Sequence, residues 1–173
     1  EKYYATAEPT SSEIGKFSRR MLSGESSVHE KTNAYLFAAD RCGYIYGKNG
    51  VIEQINNNKI VVSDRYFFSS LAYQSSSCGK EIPSLINSPF PLPQYLFYFY
   101  INPEISLNRV NSRDGKKEIY EKIDIQKKIA ALYEEIICEY EKNEDLRESM
   151  KIIRIDASKS IEEISTIIQN ILK

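Results

Sequence analysis

An aspartate and an arginine, Asp64-Arg65, stand where the apolar run Ile60-Val61-Val62 ends. A short aliphatic run bounded by Asn58-Lys59 on one side and a charged pair on the other predicts a buried strand. In open α/β sheets, ligands bind beyond the carboxyl ends of the strands. A carboxylate in that place supplies a ligand for hydrated Mg²⁺, and a guanidinium supplies a planar fork for phosphate. A strand-end ion pair with no ligand is the other reading of the same two residues. Two further pairs lie four residues apart, and so share a face if their segments are helical: Phe37 with Arg41, and Ser70 with Gln74. An aromatic ring beside a guanidinium can stack on a planar base and hydrogen-bond its edge. A core phenylalanine beside a surface arginine would give the same spacing.

The order of these segments carries a resemblance. Asp64-Arg65-Tyr66, followed by Ser69-Ser70-Leu71-Ala72-Tyr73-Gln74, resembles the signature of the thymidylate kinases. Upstream, Glu8-Pro9-Thr10, Glu13-Ile14-Gly15 and Arg19 resemble the segment after that family's second strand. Between them, Leu36-Phe37-Ala38-Ala39-Asp40-Arg41 resembles its thymine-binding helix. The likeness runs from about Ala7 to the C-terminus. It departs from the common bacterial Arg-Glu-Pro-Gly-Gly, with Ala7 in place of the arginine and Thr10-Ser11 in place of the glycines, and is closer to an archaeal-type version.

The resemblance implies transfer of the ATP γ-phosphoryl group to dTMP, giving dTDP and ADP, with Mg²⁺ as cofactor, in a cytoplasmic homodimer. It implies that Arg65 and Arg19 grip the dTMP phosphate, and that Asp64 and Glu8 lie near the metal. Phe37 stacks on thymine, Arg41, Ser70 and Gln74 meet the base, and Tyr73 and Tyr120 border the sugar. Arg113 and the lid cations Arg109, Lys116 and Lys117 lie over ATP, the lid itself falling at about 113–118. A deoxynucleoside kinase and a nucleotide-binding pseudokinase remain the alternative readings.

Composition narrows the classes. The 173 residues carry a net charge of −1 with acids and bases interspersed, so no polyanion-binding surface is expected. The cysteines Cys42, Cys78 and Cys138 have no metal spacing and fit a reducing compartment. His29 is the only histidine, in a polar run at a predicted helix start. The aromatic run Tyr95 to Ile101 is too short to cross a bilayer and predicts a strand buried on both faces.

The elements that must position these residues alternate. Strands are expected at Tyr3–Ala7, Ile60–Ser63, Tyr95–Ile101 and Lys151–Ile155. Helices are expected over Ser12–Leu22, Glu30–Tyr46, Gly50–Asn57, Phe67–Gln74, from Asn102 to near Ser112, and over Ile119–Asn143. A last helix is expected after the capping box of Ser160 and Glu163. Ser75–Pro93, rich in proline, is expected to be irregular. This alternation predicts an α/β fold, a mostly parallel sheet with helices on both faces in a single domain over 1–173. The resemblance implies a P-loop nucleoside-monophosphate kinase fold with five parallel strands. The phosphate loop G-x-x-x-x-G-K-S/T occurs nowhere in the chain. The family's first strand and P-loop are therefore expected upstream of Glu1; a degenerate kinase-like chain whose sheet closes differently is the alternative.

Overall fold

The computed structural model describes residues 2–112, 120 and 122–173. Their contacts divide the chain into two compact units, one of residues 2–90 with Tyr120, the other of 91–112 with 122–173.

In the first unit, strand β1 (Tyr3–Ala7) leads to helices α1 (Glu13–Leu22), α2 (Glu30–Tyr46) and α3 (Val51–Asn56). Strand β2 (Ile60–Asp64) then precedes helices α4 (Phe67–Cys78) and α5 (Glu81–Asn87). β1 and β2 pair in parallel, with Tyr3 opposite Ile60 and Ala7 opposite Asp64. Local chemistry sets the helix ends. Ser12 Oγ accepts from the Gly15 N–H and caps α1, and His29 Nδ1 accepts from the Lys31 N–H at the start of α2. Helix α4 stops at Gly79, whose φ of 81° lies in the left-handed region. The core forms where α2 meets α4. Phe67, Phe68 and Ala72 of α4 and Ala34, Ala38 and Ile45 of α2 are buried. Each fully buried phenylalanine contributes about 1.5–3 kcal/mol.

The second unit contains strand β3 (Tyr95–Tyr100), helices α6 (Pro103–Asn111), α7 (Ile123–Lys142) and α8 (Glu144–Ser149), strand β4 (Lys151–Asp156) and helix α9 (Ile161–Leu172). β3 and β4 pair in parallel, Tyr95 opposite Lys151 and Tyr100 opposite Asp156. Arg154 ties β4 to α7. It bonds Glu134 at 2.7 Å and Glu141 at 2.9 Å, and its guanidinium covers the Tyr98 ring. Asn102 caps α6, with Pro103 at its first position, as their order in sequence predicts.

Several expectations are corrected. Ser75–Pro93 is not irregular throughout. α4 runs on to Cys78, and α5 forms with Pro83 in its first turn, where no intrahelical N–H bond is lost. β2 is not buried, since Ile60 is 67% and Val62 58% exposed. Nor is β3 covered on both faces, with Phe99 47% exposed. The reason is shared: among the described residues each strand has one ladder partner, and the ladders form two two-stranded sheets. Helix α7 starts at Ile123, later than expected. The capping box of α9 is present, but Ile161 beside it is exposed. No helix among the described residues is long and apolar enough to cross a membrane.

Asn102→Ala removes the acceptor for the Glu104 N–H, a bond of 2.8 Å. The expected loss is about 1 kcal/mol of stability, read as a lower urea midpoint with an unchanged slope.

Candidate functional site: a buried ion pair beneath an arginine at the mouth of a strand

The site grows out of the carboxyl ends of β1 and β2. The Glu8 N–H donates to the Asp64 carbonyl at 3.1 Å, continuing the ladder one residue past β1. The Glu8-Pro9 peptide is cis. The chain then turns across the start of α1. Asp40, buried on α2, holds this turn by accepting from the Thr10 N–H at 2.7 Å, Thr10 Oγ1 at 2.5 Å and Ser12 Oγ at 2.7 Å. Gly15 allows the close approach, because a Cβ there would collide with the Thr10 backbone. Arg19, on the same helix, donates to the Pro9 carbonyl.

Beneath the turn lies a buried ion pair. Arg41 of α2 is 0% exposed and Glu8 7%. Arg41 Nε and Nη2 donate to the two Glu8 carboxylate oxygens. Nη1 donates to Asn87 Oδ1, and Nη2 also donates to Ser70 Oγ at 3.0 Å. The guanidinium carbon lies 5.8 Å from the Tyr66 ring and 5.4 Å from the Phe90 ring. The Tyr44 hydroxyl donates to Glu8 at 2.9 Å. Burial foremost, then the Glu8 charge, lifts the Tyr44 phenol well above its ordinary range. Burial likewise lifts Tyr66, against the opposing pull of Arg41. Both phenols therefore stay protonated and neutral beside the pair.

Arg65 stands above, at the mouth of β2. Its φ is 70°, a left-handed backbone that non-glycine residues rarely adopt. Ser63 Oγ donates to its carbonyl at 2.7 Å and braces the turn. Asp64 and Arg65 are both exposed. The Arg65 guanidinium carbon lies 5.4 Å from the centre of the Tyr73 ring. Tyr73 in turn meets Tyr120 edge to face, at 5.1 Å.

Helices α2 and α4 line the site in opposite directions. Arg41, late in α2, meets Ser70, early in α4. Asn33, early in α2, donates from Nδ2 to the Tyr120 hydroxyl beside Tyr73, later in α4. Phe37 is half-buried, one helical turn from both Asn33 and Arg41.

The expected residues thus divide. Arg65 meets Tyr73, Tyr73 meets Tyr120, and Ser70 meets Arg41; Asp64 precedes Arg65 in the chain, Gln74 follows Tyr73, and Phe37 shares the α2 face of Arg41. Both Glu8 carboxylate oxygens accept from Arg41, and one also accepts from the Tyr44 hydroxyl. Four of the five N–H groups of Arg41 bond protein atoms. Arg109 is exposed on α6. It donates to the Ala157 carbonyl at 2.7 Å and the Ser158 carbonyl at 3.3 Å, tying α6 to the turn after β4. Arg113, Lys116 and Lys117 lie outside the described residues. Sequence reasoning missed Asn33, Asp40, Tyr44, Asn87 and Phe90. Asp40 did carry a signal, being a carboxylate inside an apolar helical segment that must find donors if buried.

Comparison with solved structures gives the class. The thymidylate kinase of Candida albicans matches with a TM-score of 0.72, covering 98% of this chain and 79% of that one at 19% identity. The fold is that α/β nucleoside-monophosphate kinase fold. The sequence gives the family. The thymidylate kinase family model matches residues 1–168. A relative in Treponema pallidum bearing the family name is 38% identical over 157 residues, 91% of this chain and 74% of that protein. One in Methanocaldococcus jannaschii is 36% identical over 170 residues, 97% of this chain and 81% of that protein. The thymidylate kinase of Leptospira interrogans is 35% identical over 136 residues, 77% of this chain and 66% of that protein. The chain belongs to the thymidylate kinase family, and so to the nucleoside-monophosphate phosphotransferases.

Glu8→Gln leaves the Arg41 charge buried without its counter-charge. The expected loss is about 3–5 kcal/mol in urea unfolding, because breaking one side of a buried pair strands the other. Glu8→Gln with Arg41→Met is expected to recover part of that loss.

Proposed function

We propose that this chain serves the phosphorylation of dTMP with ATP as donor, a transfer that also needs a phosphate loop, and that unit 1 forms the acceptor side of the reaction. The observation that carries the reading is Arg65, exposed at the mouth of β2 with its guanidinium laid against Tyr73. A guanidinium there stays charged at any working pH and grips a phosphate bidentately. Arg19, anchored through the Pro9 carbonyl, supplies a second cation from α1. Phe37 stacks on thymine, with Ser70 and Gln74 at the base edge. Arg41, wholly buried, acts here by fixing Ser70 and the α2 face that carries Phe37. Tyr73, bordered by Tyr120, walls the sugar.

Mg²⁺ fits this site through one carboxylate. Asp64 is exposed at the strand end, Glu8 is engaged elsewhere, and no cluster of three metal-ligating side chains occurs among the described residues. Hydrated Mg²⁺ needs only one or two carboxylates, the rest of its shell being water and substrate phosphate. When bound, the cation neutralises charge on the phosphates during transfer. The protein's part is to hold the dTMP phosphate in line and spread its charge over arginines; no covalent enzyme intermediate is required. Arg113, Lys116 and Lys117 belong to the same reading as cations over the donor.

The same reading makes the chain a homodimer joined by helices of its first half. Ile14 of α1, Tyr35 of α2 and Ile52 and Ile55 of α3 are exposed apolar residues in support of it. Sedimentation should then give twice the 20.0 kDa chain mass.

Arg65→Ala is expected to lower kcat/KM for dTMP by about a hundredfold or more, as loss of a charged phosphate contact does. Far-ultraviolet circular dichroism should be unchanged. Near-normal turnover of dTMP by that variant, or faster phosphorylation of thymidine than of dTMP by the parent chain, would contradict the assignment.

A further inference from the structure

The amide of Asn33 has one use that packing does not explain. Asn33 is 8% exposed, and its Oδ1 has no hydrogen-bond partner. A leucine would fill this place on α2 without leaving a buried acceptor unpaired, which costs stability. What the amide does is hold Tyr120, donating from Nδ2 to the phenol oxygen at 3.3 Å. The neighbouring Gln74 amide also acts on that hydroxyl, and Gln74 Oε1 is a second buried acceptor without a partner. Tyr120 is 8% exposed, so its hydroxyl depends on these amides for its place.

Tyr120 supports Tyr73. Their rings meet at 5.1 Å and 78°, edge to face, while the Arg65 guanidinium covers Tyr73 at 5.4 Å. The Tyr73 ring is thus held between a cation and a second aromatic ring. An aromatic wall rejects an extra hydroxyl only as far as it cannot retreat, and close packing is what prevents retreat. A wall whose backing ring can swing gives way at little cost.

We propose that Asn33 is a positioning residue for sugar selectivity: by fixing the Tyr120 hydroxyl it keeps Tyr73 in place against a ribose 2′-hydroxyl. This rests on the reading of Tyr73 as the sugar wall of a dTMP site. Asn33 touches no substrate in this scheme and acts through Tyr120.

The test is equilibrium binding by titration calorimetry on the full chain, with dTMP and with its ribonucleotide counterpart, 5-methyluridine 5′-monophosphate. The parent chain should prefer dTMP. Asn33→Leu should reduce that preference about tenfold, the ribonucleotide gaining relative to dTMP. Tyr120→Phe keeps the ring against Tyr73 but removes the atom that Asn33 holds, and should reduce the preference by a similar factor. The double variant should be no less selective than either single one, because both cut the same bond. An unchanged ratio in Tyr120→Phe, or equal weakening of both nucleotides in the two single variants, would overturn the proposal and leave the dTMP site standing. If Asn33→Leu fails to fold, Tyr120→Phe decides alone. A parent chain that binds neither nucleotide would remove the dTMP reading itself, and this proposal with it.

Discussion

The Glu8–Arg41 pair is the constraint on which the acceptor side depends. Glu8 is the residue just beyond β1, Arg41 belongs to α2, Ser70 to α4 and Asn87 to α5. One guanidinium therefore fixes three helices against the end of a strand. Its charge is cancelled by a carboxylate at contact distance, and aromatic rings close over it. Hydrophobic contacts alone tolerate sliding between helices. A fork with directed N–H bonds does not, and that difference sets the register between the α2 face that carries Phe37 and the α4 face that carries Tyr73.

Burial separates the arginines by task. Arg41 is wholly inside and neutralised, so it adds shape rather than field. Arg65 and Arg19 are exposed, and their positive potential reaches solvent, where an anionic group can meet it. Asp40 serves the second arrangement by satisfying Thr10 and Ser12, which aims the start of α1, and so Arg19, toward the turn at Pro9. A net charge near zero thus conceals a strongly polarised neighbourhood.

The sequence disclosed what depends on nearby residues. Ser12, Asn102-Pro103 and Ser160 signal helix starts because a cap bonds groups two or three residues away, and the structure bears these out. The Asp64-Arg65 pair was legible because it follows an apolar run. Partnerships between distant residues were not. Nothing in Leu36 to Arg41 states that Arg41 will find Glu8, or that Asn87 will arrive from a segment its prolines seemed to bar from helix. The exposure of β2 and β3 was hidden for a related reason. Alternation and branching announce a strand, whereas the cover of each edge and face depends on which partners the topology supplies.

The left-handed turn at Arg65 sets folding against chemistry at one position. Glycine would occupy a φ of 70° without strain, and asparagine with little, whereas arginine carries a backbone penalty of about 1 kcal/mol there. A chain optimised only to be robust would drop the guanidinium first. Its presence marks the place where robustness and reactivity make opposite demands, and where gains in heat resistance found by random substitution would come with silenced variants.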